Sequence, residues 1–112
     1  MYKTTLVERD IADGQRLTEA LEKTLHVTAA FWLYVEEEDE WKLFIVSPDV
    51  ATVGPNRIYT EIAALLDKFL ADPQKPVQMS FSSIKLLSPQ TLLYERVKQF
   101  SGLLDTYIYK LG

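Results

Sequence analysis

The sequence predicts an α+β fold, a single domain over residues 1–112 with element order α-β-β-α-β-α-β. Three observations predict it. Apolar residues recur every three to four positions in three separate segments, as on the buried face of a helix. Between them lie runs that alternate with period two and are rich in aromatic and β-branched side chains, as strands prefer. Proline, glycine and Ser-Pro pairs punctuate the junctions. The expected architecture is a three- or four-stranded mixed or antiparallel sheet packed by three helices.

Val7, Ile11, Gly14, Thr18, Leu21 and Leu25 lie on one helical face, which predicts a helix from about Thr5 to Leu25. Gly14 sits on that face, where it costs about 1 kcal/mol of helix propensity. Close approach of another element is the expected return. From Ala29 the period changes to two. Phe31, Leu33 and Val35 point one way, Trp32 and Tyr34 the other. Beyond the acidic run, Trp41, Leu43 and Ile45 alternate with Lys42, Phe44 and Val46. A short polar connection between two such runs predicts an antiparallel hairpin. With no Asn-Gly or Asp-Gly, the loop should hold about four residues rather than two. Both faces of the hairpin are apolar, so helices should cover one face, and the other should be partly covered or shared with a partner.

Ser47-Pro48-Asp49 ends the second strand, since proline cannot extend a central ladder. A loop then runs to Gly54, and Pro55 suits the first turn of a helix. That helix carries Ile58, Ile62, Leu65, Leu66 and Phe69 inward and should stop near Leu70, before Asp72-Pro73 and Pro76. Val77, Met79 and Phe81 alternate with Gln78, Ser80 and Ser82, which predicts a third strand lasting to about Leu87. Ser88 as cap and Pro89 at the first helical position predict a third helix. Leu93, Val97 and Phe100 should face inward with Leu92 beside them, and Gly102 is the expected cap. Thr106–Lys110 reads as a short last strand.

With 47% hydrophobic residues over 112, the chain can bury a core without staples. It has no cysteine, which excludes disulfides, thiolate metal sites and thiol nucleophiles. That fits a reducing compartment, and neither a signal-peptide pattern nor an apolar run of membrane-spanning length is evident. The expected setting is cytoplasmic, with no membrane association. Glu36–Glu40 supplies −5 of a formal net charge of −4, leaving the remainder at +1. The acidity is therefore local. The scattered basic residues form no stripe, so nucleic acid is not an expected partner.

Little here carries catalytic chemistry. In an extended acidic run only Glu36, Glu38 and Glu40 could converge, because successive side chains point to opposite faces. The glycine that shapes the common calcium loop is missing. A solvated turn is the expected role, with no metal and no cofactor. Glu40-Trp41-Lys42 and Pro48-Asp49 stand in the wrong order for a Pro-Asp…Glu-x-Lys nuclease. Ser82-Ser83-Ile84-Lys85 lies on a strand pattern rather than at a helix start, without the downstream motifs of Ser-x-x-Lys enzymes. Four dispersed glycines make no phosphate loop. The single histidine, His26, falls at a helix end with no flagged triad partner.

The aromatics remain. Trp32, Tyr34, Trp41 and Phe44 on the hairpin, with Tyr107 and Tyr109 on the last strand, pack the sheet or form an interface, since aromatics are enriched at contact hot spots. The segment FWLY…EEDEWKLFIVSP, followed by VGP at a helix start and LLSP at a strand end, resembles short uncharacterised bacterial proteins. The resemblance implies the same fold and a bacterial origin, and brings no activity and no site residues. The expected function is a small non-catalytic binding or regulatory protein acting through a protein partner or a second copy of itself as a homodimer. The alternative is an enzyme or enzyme subunit with a site around the Asp49–Arg57 loop, where Asp49 and Arg57 would be its first candidates.

Overall fold

The predicted hairpin forms the centre of the sheet. In the computed structural model, which describes residues 6–77, 79–100, 102 and 105–111, β1 (Ala29–Val35) pairs antiparallel with β2 (Glu40–Val46), Phe31 opposite Phe44 and Val35 opposite Glu40. Four residues, 36–39, make the connection. Its last residue, Asp39, adopts φ 51°, a left-handed conformation that aspartate tolerates better than most residues. The Glu38 and Asp39 amides donate to the Val35 and Glu36 carbonyls.

Two further strands extend the hairpin to the order β3-β2-β1-β4. β4 (Thr106–Lys110) runs antiparallel to β1, and β3 (Ile84–Leu87) runs parallel to β2. The sheet is therefore mixed. A parallel neighbour needs a long crossover, and the chain supplies it with α2 (Asp49–Thr52) and α3 (Pro55–Leu70). Gly54 precedes Pro55 at φ 99°, a conformation that favours glycine, and Pro55 opens α3 as expected.

Strand alternation divides the apolar residues between two clusters. Ala30, Trp32, Leu43, Ile45 and Ile84 face α1 (Glu8–Leu21) and α3, which contribute Leu17, Leu21, Ile58, Ile62 and Leu66. Ala29, Phe31, Phe44 and Val46 face α4 (Leu92–Phe100), which contributes Tyr94 and Val97. Helices thus lie on both faces of the sheet. No helix among the described residues is long and apolar enough to cross a membrane.

Several expectations need correction. α1 ends at Leu21 instead of Leu25; the Lys23, Thr24 and Leu25 amides still bond back to Ala20 and Leu21 as a frayed last turn. Its expected start at Thr5 lies outside the described residues. The strand read from Val77 begins only at Ile84, after a turn of 3₁₀ helix at Phe81–Ser83. Val77 is buried, and its amide donates to Phe69 O at the end of α3. Val77 is thus laid beneath a helix end without a ladder, and Phe81, at the far end of the expected alternation, is exposed. α4 begins at Leu92, because Ser88 starts a turn whose carbonyl takes both the amide and the hydroxyl of Thr91. Its inward face is centred on Tyr94 and Val97, so Leu92 and Phe100 turn outward. The capping role read for Gly102 involves residues 101 and 103, outside the described residues. The short α2 was not anticipated at all. The Asp49 amide donating to Ser47 Oγ at 3.1 Å starts it.

Candidate functional site

The six aromatics separate by environment. Trp32 is only 2% exposed, and its Nε1 donates to Tyr109 Oη at 2.9 Å. The Tyr109 hydroxyl in turn donates to the Ile11 carbonyl of α1. Gly14 makes this possible. A Cβ there would stand 2.7 Å from Tyr109 Oη and 3.0 Å from Trp32 Nε1. The close approach expected of Gly14 is thus a helix laid directly on an aromatic hydrogen-bond chain. Burial pushes the Tyr109 phenol up to about 12. Phe44 is buried and stacked on Phe31, with ring centres 5.6 Å apart. Tyr34 and Trp41 meet edge to face across the hairpin, and the Tyr34 hydroxyl donates to Asp39. Tyr107, packed edge-on to Tyr109, is the exposed one.

The acidic run has an internal partner. Lys42 is 5% exposed, and its Nζ lies 3.0 Å from Glu38 Oε2, 3.3 Å from Glu40 Oε2 and 3.2 Å from Ser82 O. The hydrogen bond Lys42 donates to Glu38, with that to Glu40 against the cost of burial, holds its ammonium above its usual range. Two of the three carboxylates expected to share a side do converge, and they converge on this ammonium. Glu36 and Glu37 are left pointing into solvent at the sheet's open end.

The structure puts Asp49 to structural use. Its Oδ2 accepts the His26 amide at 2.9 Å, which ties the α1–β1 connection to the start of α2. Arg57 is exposed on the first turn of α3.

The largest concavity described lies elsewhere, over the second face of the sheet. α4 is about 13 Å long at 1.5 Å per residue, and β1 about 23 Å at 3.3 Å per residue, so one short helix cannot cover the strand it crosses. The part that the described residues leave uncovered is a groove of about 820 Å³ between the end of β1 and the outer side of α4. Leu33, Val35 and Phe44 form its sheet wall; Leu93, Arg96 and Phe100 form its helix wall. Glu36, Glu37 and Asp105 complete the lining. An apolar trough with charges at its rim can bind an apolar segment and select it by charge; among the described residues its lining holds no nucleophile–base pair. Phe44 was the sole expected interface residue on its floor, and Tyr34 lies at its edge. Leu93, Arg96 and Phe100 were missed because Leu93 and Phe100 follow an ordinary core spacing. The signal was helix length: nine residues set against seven-residue strands.

The chain matches no protein-family model, no curated protein and no solved structure.

Proposed function

We propose that the chain is a small non-catalytic protein of the bacterial cytoplasm that acts by binding another protein, and that the groove between β1 and α4 is its docking site. The observation that carries this reading is the half-covered second face of the sheet. Leu33 and Val35 are only partly buried beside it, and Phe100 is 48% exposed at its rim. Wide apolar concavities with a few placed charges are where proteins bind their ligands. Exposed Glu36 and Glu37 beside Arg96 at the described lining favour an occupant with apolar anchors flanked by Lys or Arg. An amphipathic helix with anchors at i, i+4 and i+7 fits such a trough.

The test is selection from a phage library of amphipathic helical peptides, with the intact chain as bait and its Phe100→Ser variant as counter-bait. Enriched peptides should carry two or more apolar anchors with net positive charge, and should bind the variant at least about tenfold more weakly, the ~1.4 kcal/mol expected of one hot-spot aromatic. No enrichment, or enrichment indifferent to Phe100→Ser, would sink the proposal.

A further inference from the structure

The two edges of the sheet are finished differently. At β3 the Ser47 amide donates to the Leu87 carbonyl at 3.0 Å, so Leu87 faces β2 and Leu86 faces outward. That outward amide is taken by Tyr59 Oη at 3.1 Å, which closes the edge. At β4 the Tyr34 amide donates to the Asp105 carbonyl at 3.1 Å, so residue 105 faces β1. Backbone groups alternate along a strand, so Ile108, the last residue before the register shift between Phe31 and Ala30, turns its N–H and C=O away from β1. Among the described residues no side chain takes the Ile108 amide as Tyr59 takes that of Leu86. Beside this edge runs a groove of about 340 Å³, walled by Gln15 and Glu19 of α1, by Glu22 just past its end, and by Tyr107 and Lys110 of β4.

We propose that this edge takes an extended, basic segment of a partner protein as a fifth strand, antiparallel to β4 and roofed by α1. An open strand edge supplies main-chain hydrogen bonds, and the flanking wall supplies side-chain preference. Every second side chain of an added strand would face α1. Glu19 and Glu22 stand there with Lys110 alone of opposite sign; Lys110 reaches Glu22 at 3.4 Å, and Gln15 donates to Glu19 at 3.0 Å. Lys or Arg at those alternate positions completes the balance, and apolar residues between them continue the face on which Ile108 packs. A second copy is the weaker occupant. A two-fold axis normal to the sheet beside β4, which antiparallel pairing of two copies requires, would set α1 beside α1 and bring both pairs of glutamates together.

The site is distinct from the groove over α4, so each can fail without the other. The experiment uses the intact chain, amide NMR and blocked seven-residue peptides that alternate Lys or Arg with Val, Ile or Thr. Binding should slow exchange of the Ile108 amide, give cross-strand contacts from peptide to Tyr107 Hα, and leave Leu93 and Phe100 unmoved. Peptides with Glu in place of Lys should not bind. Glu19→Gln with Glu22→Gln should weaken binding about fivefold or more at low salt while the fold is kept, as for charge pairs that steer partner choice. Ile108→Pro should abolish binding. Edge strands accept proline where the N–H faces outward, and the glutamate variant answers the question if that chain does not fold. The proposal is overturned if no peptide of the set protects Ile108, or if Glu- and Lys-bearing peptides bind alike. It is also overturned if Ile108 is already protected by a concentration-dependent dimer of the chain alone.

Discussion

At the scale of single residues, Gly14 carries the sharpest consequence. Glycine inside an exposed helix should be improved by alanine, by about 1 kcal/mol. Here the added methyl would meet Tyr109 Oη at 2.7 Å, and that hydroxyl cannot swing aside without leaving both Trp32 and Ile11. Overpacking a fitted site costs about 1–3 kcal/mol, so Gly14→Ala should destabilise, reversing the usual sign. Urea unfolding of Gly14→Ala in the wild-type and Tyr109→Phe backgrounds checks it: the loss should shrink once the hydroxyl is gone, a coupling that only neighbours show. Tyr109 also leaves a mark on pH dependence. Its folded pKa, about 12, lies above the ordinary 10.0. The unfolded chain therefore loses this proton first as pH rises. The stabilisation is complete below pH 10 and is lost between 10 and about 12. Tyr109→Phe should be less stable at neutral pH, by about 1–3 kcal/mol for the groups left unpartnered, and should show a shallower alkaline decline by chemical denaturation.

At the scale of elements, the hairpin was the most legible part of the sequence. Its four-residue loop and its apolar faces follow from alternation and from the missing Asn-Gly. What alternation could not reveal was the fate of Lys42, which occupies a strand position as an ordinary polar residue and yet is buried. The third strand misled for a related reason: Val77, Met79 and Phe81 carry a strand's period, yet Val77 packs beneath the end of α3 while Phe81 is 44% exposed. The Lys42 cluster implies a redundant pair. Glu38 and Glu40 each touch the ammonium, and each is about half exposed, 51% and 54%. Removing one leaves the other in place. Removing both leaves a buried charge with the Ser82 carbonyl, and costs about 1–2 kcal/mol after the fully buried figure is reduced for solvent. Glu38→Gln and Glu40→Gln should therefore each cost little, and the double variant more than their sum. Additive losses in thermal unfolding would mean the two carboxylates act independently.

At the scale of the whole molecule, the Cα radius of gyration is 13.7 Å, close to the ~13 Å expected of a folded domain of this length. Economy of size explains the open groove. Among the described residues two helices cover the first face of the sheet, while the second has only α4, whose nine residues are held at Tyr94 and Val97. The phase of that helix was only half legible. The spacing of Leu93, Val97 and Phe100 marks an inward stripe, but an amphipathic pattern does not say how far the opposing sheet extends beneath it. The stripe thus runs from a core residue to a rim residue within one turn, and the two ends should respond differently to truncation. Val97 is fully buried against Phe31, Phe44 and Val46, so Val97→Ala should cost on the order of 1–3 kcal/mol, the lost transfer energy plus the cavity. Phe100 is nearly half in solvent, so Phe100→Ser should change stability by less than about 0.5 kcal/mol, as surface substitutions do. If the groove binds a partner, the ranking inverts when binding is read instead: Phe100→Ser should lose most of the affinity, while Val97→Ala, measured below its melting point, should retain it. Calorimetry of both variants against one selected peptide supplies the comparison. Equal loss of affinity in both would mean that Phe100 matters only through the fold.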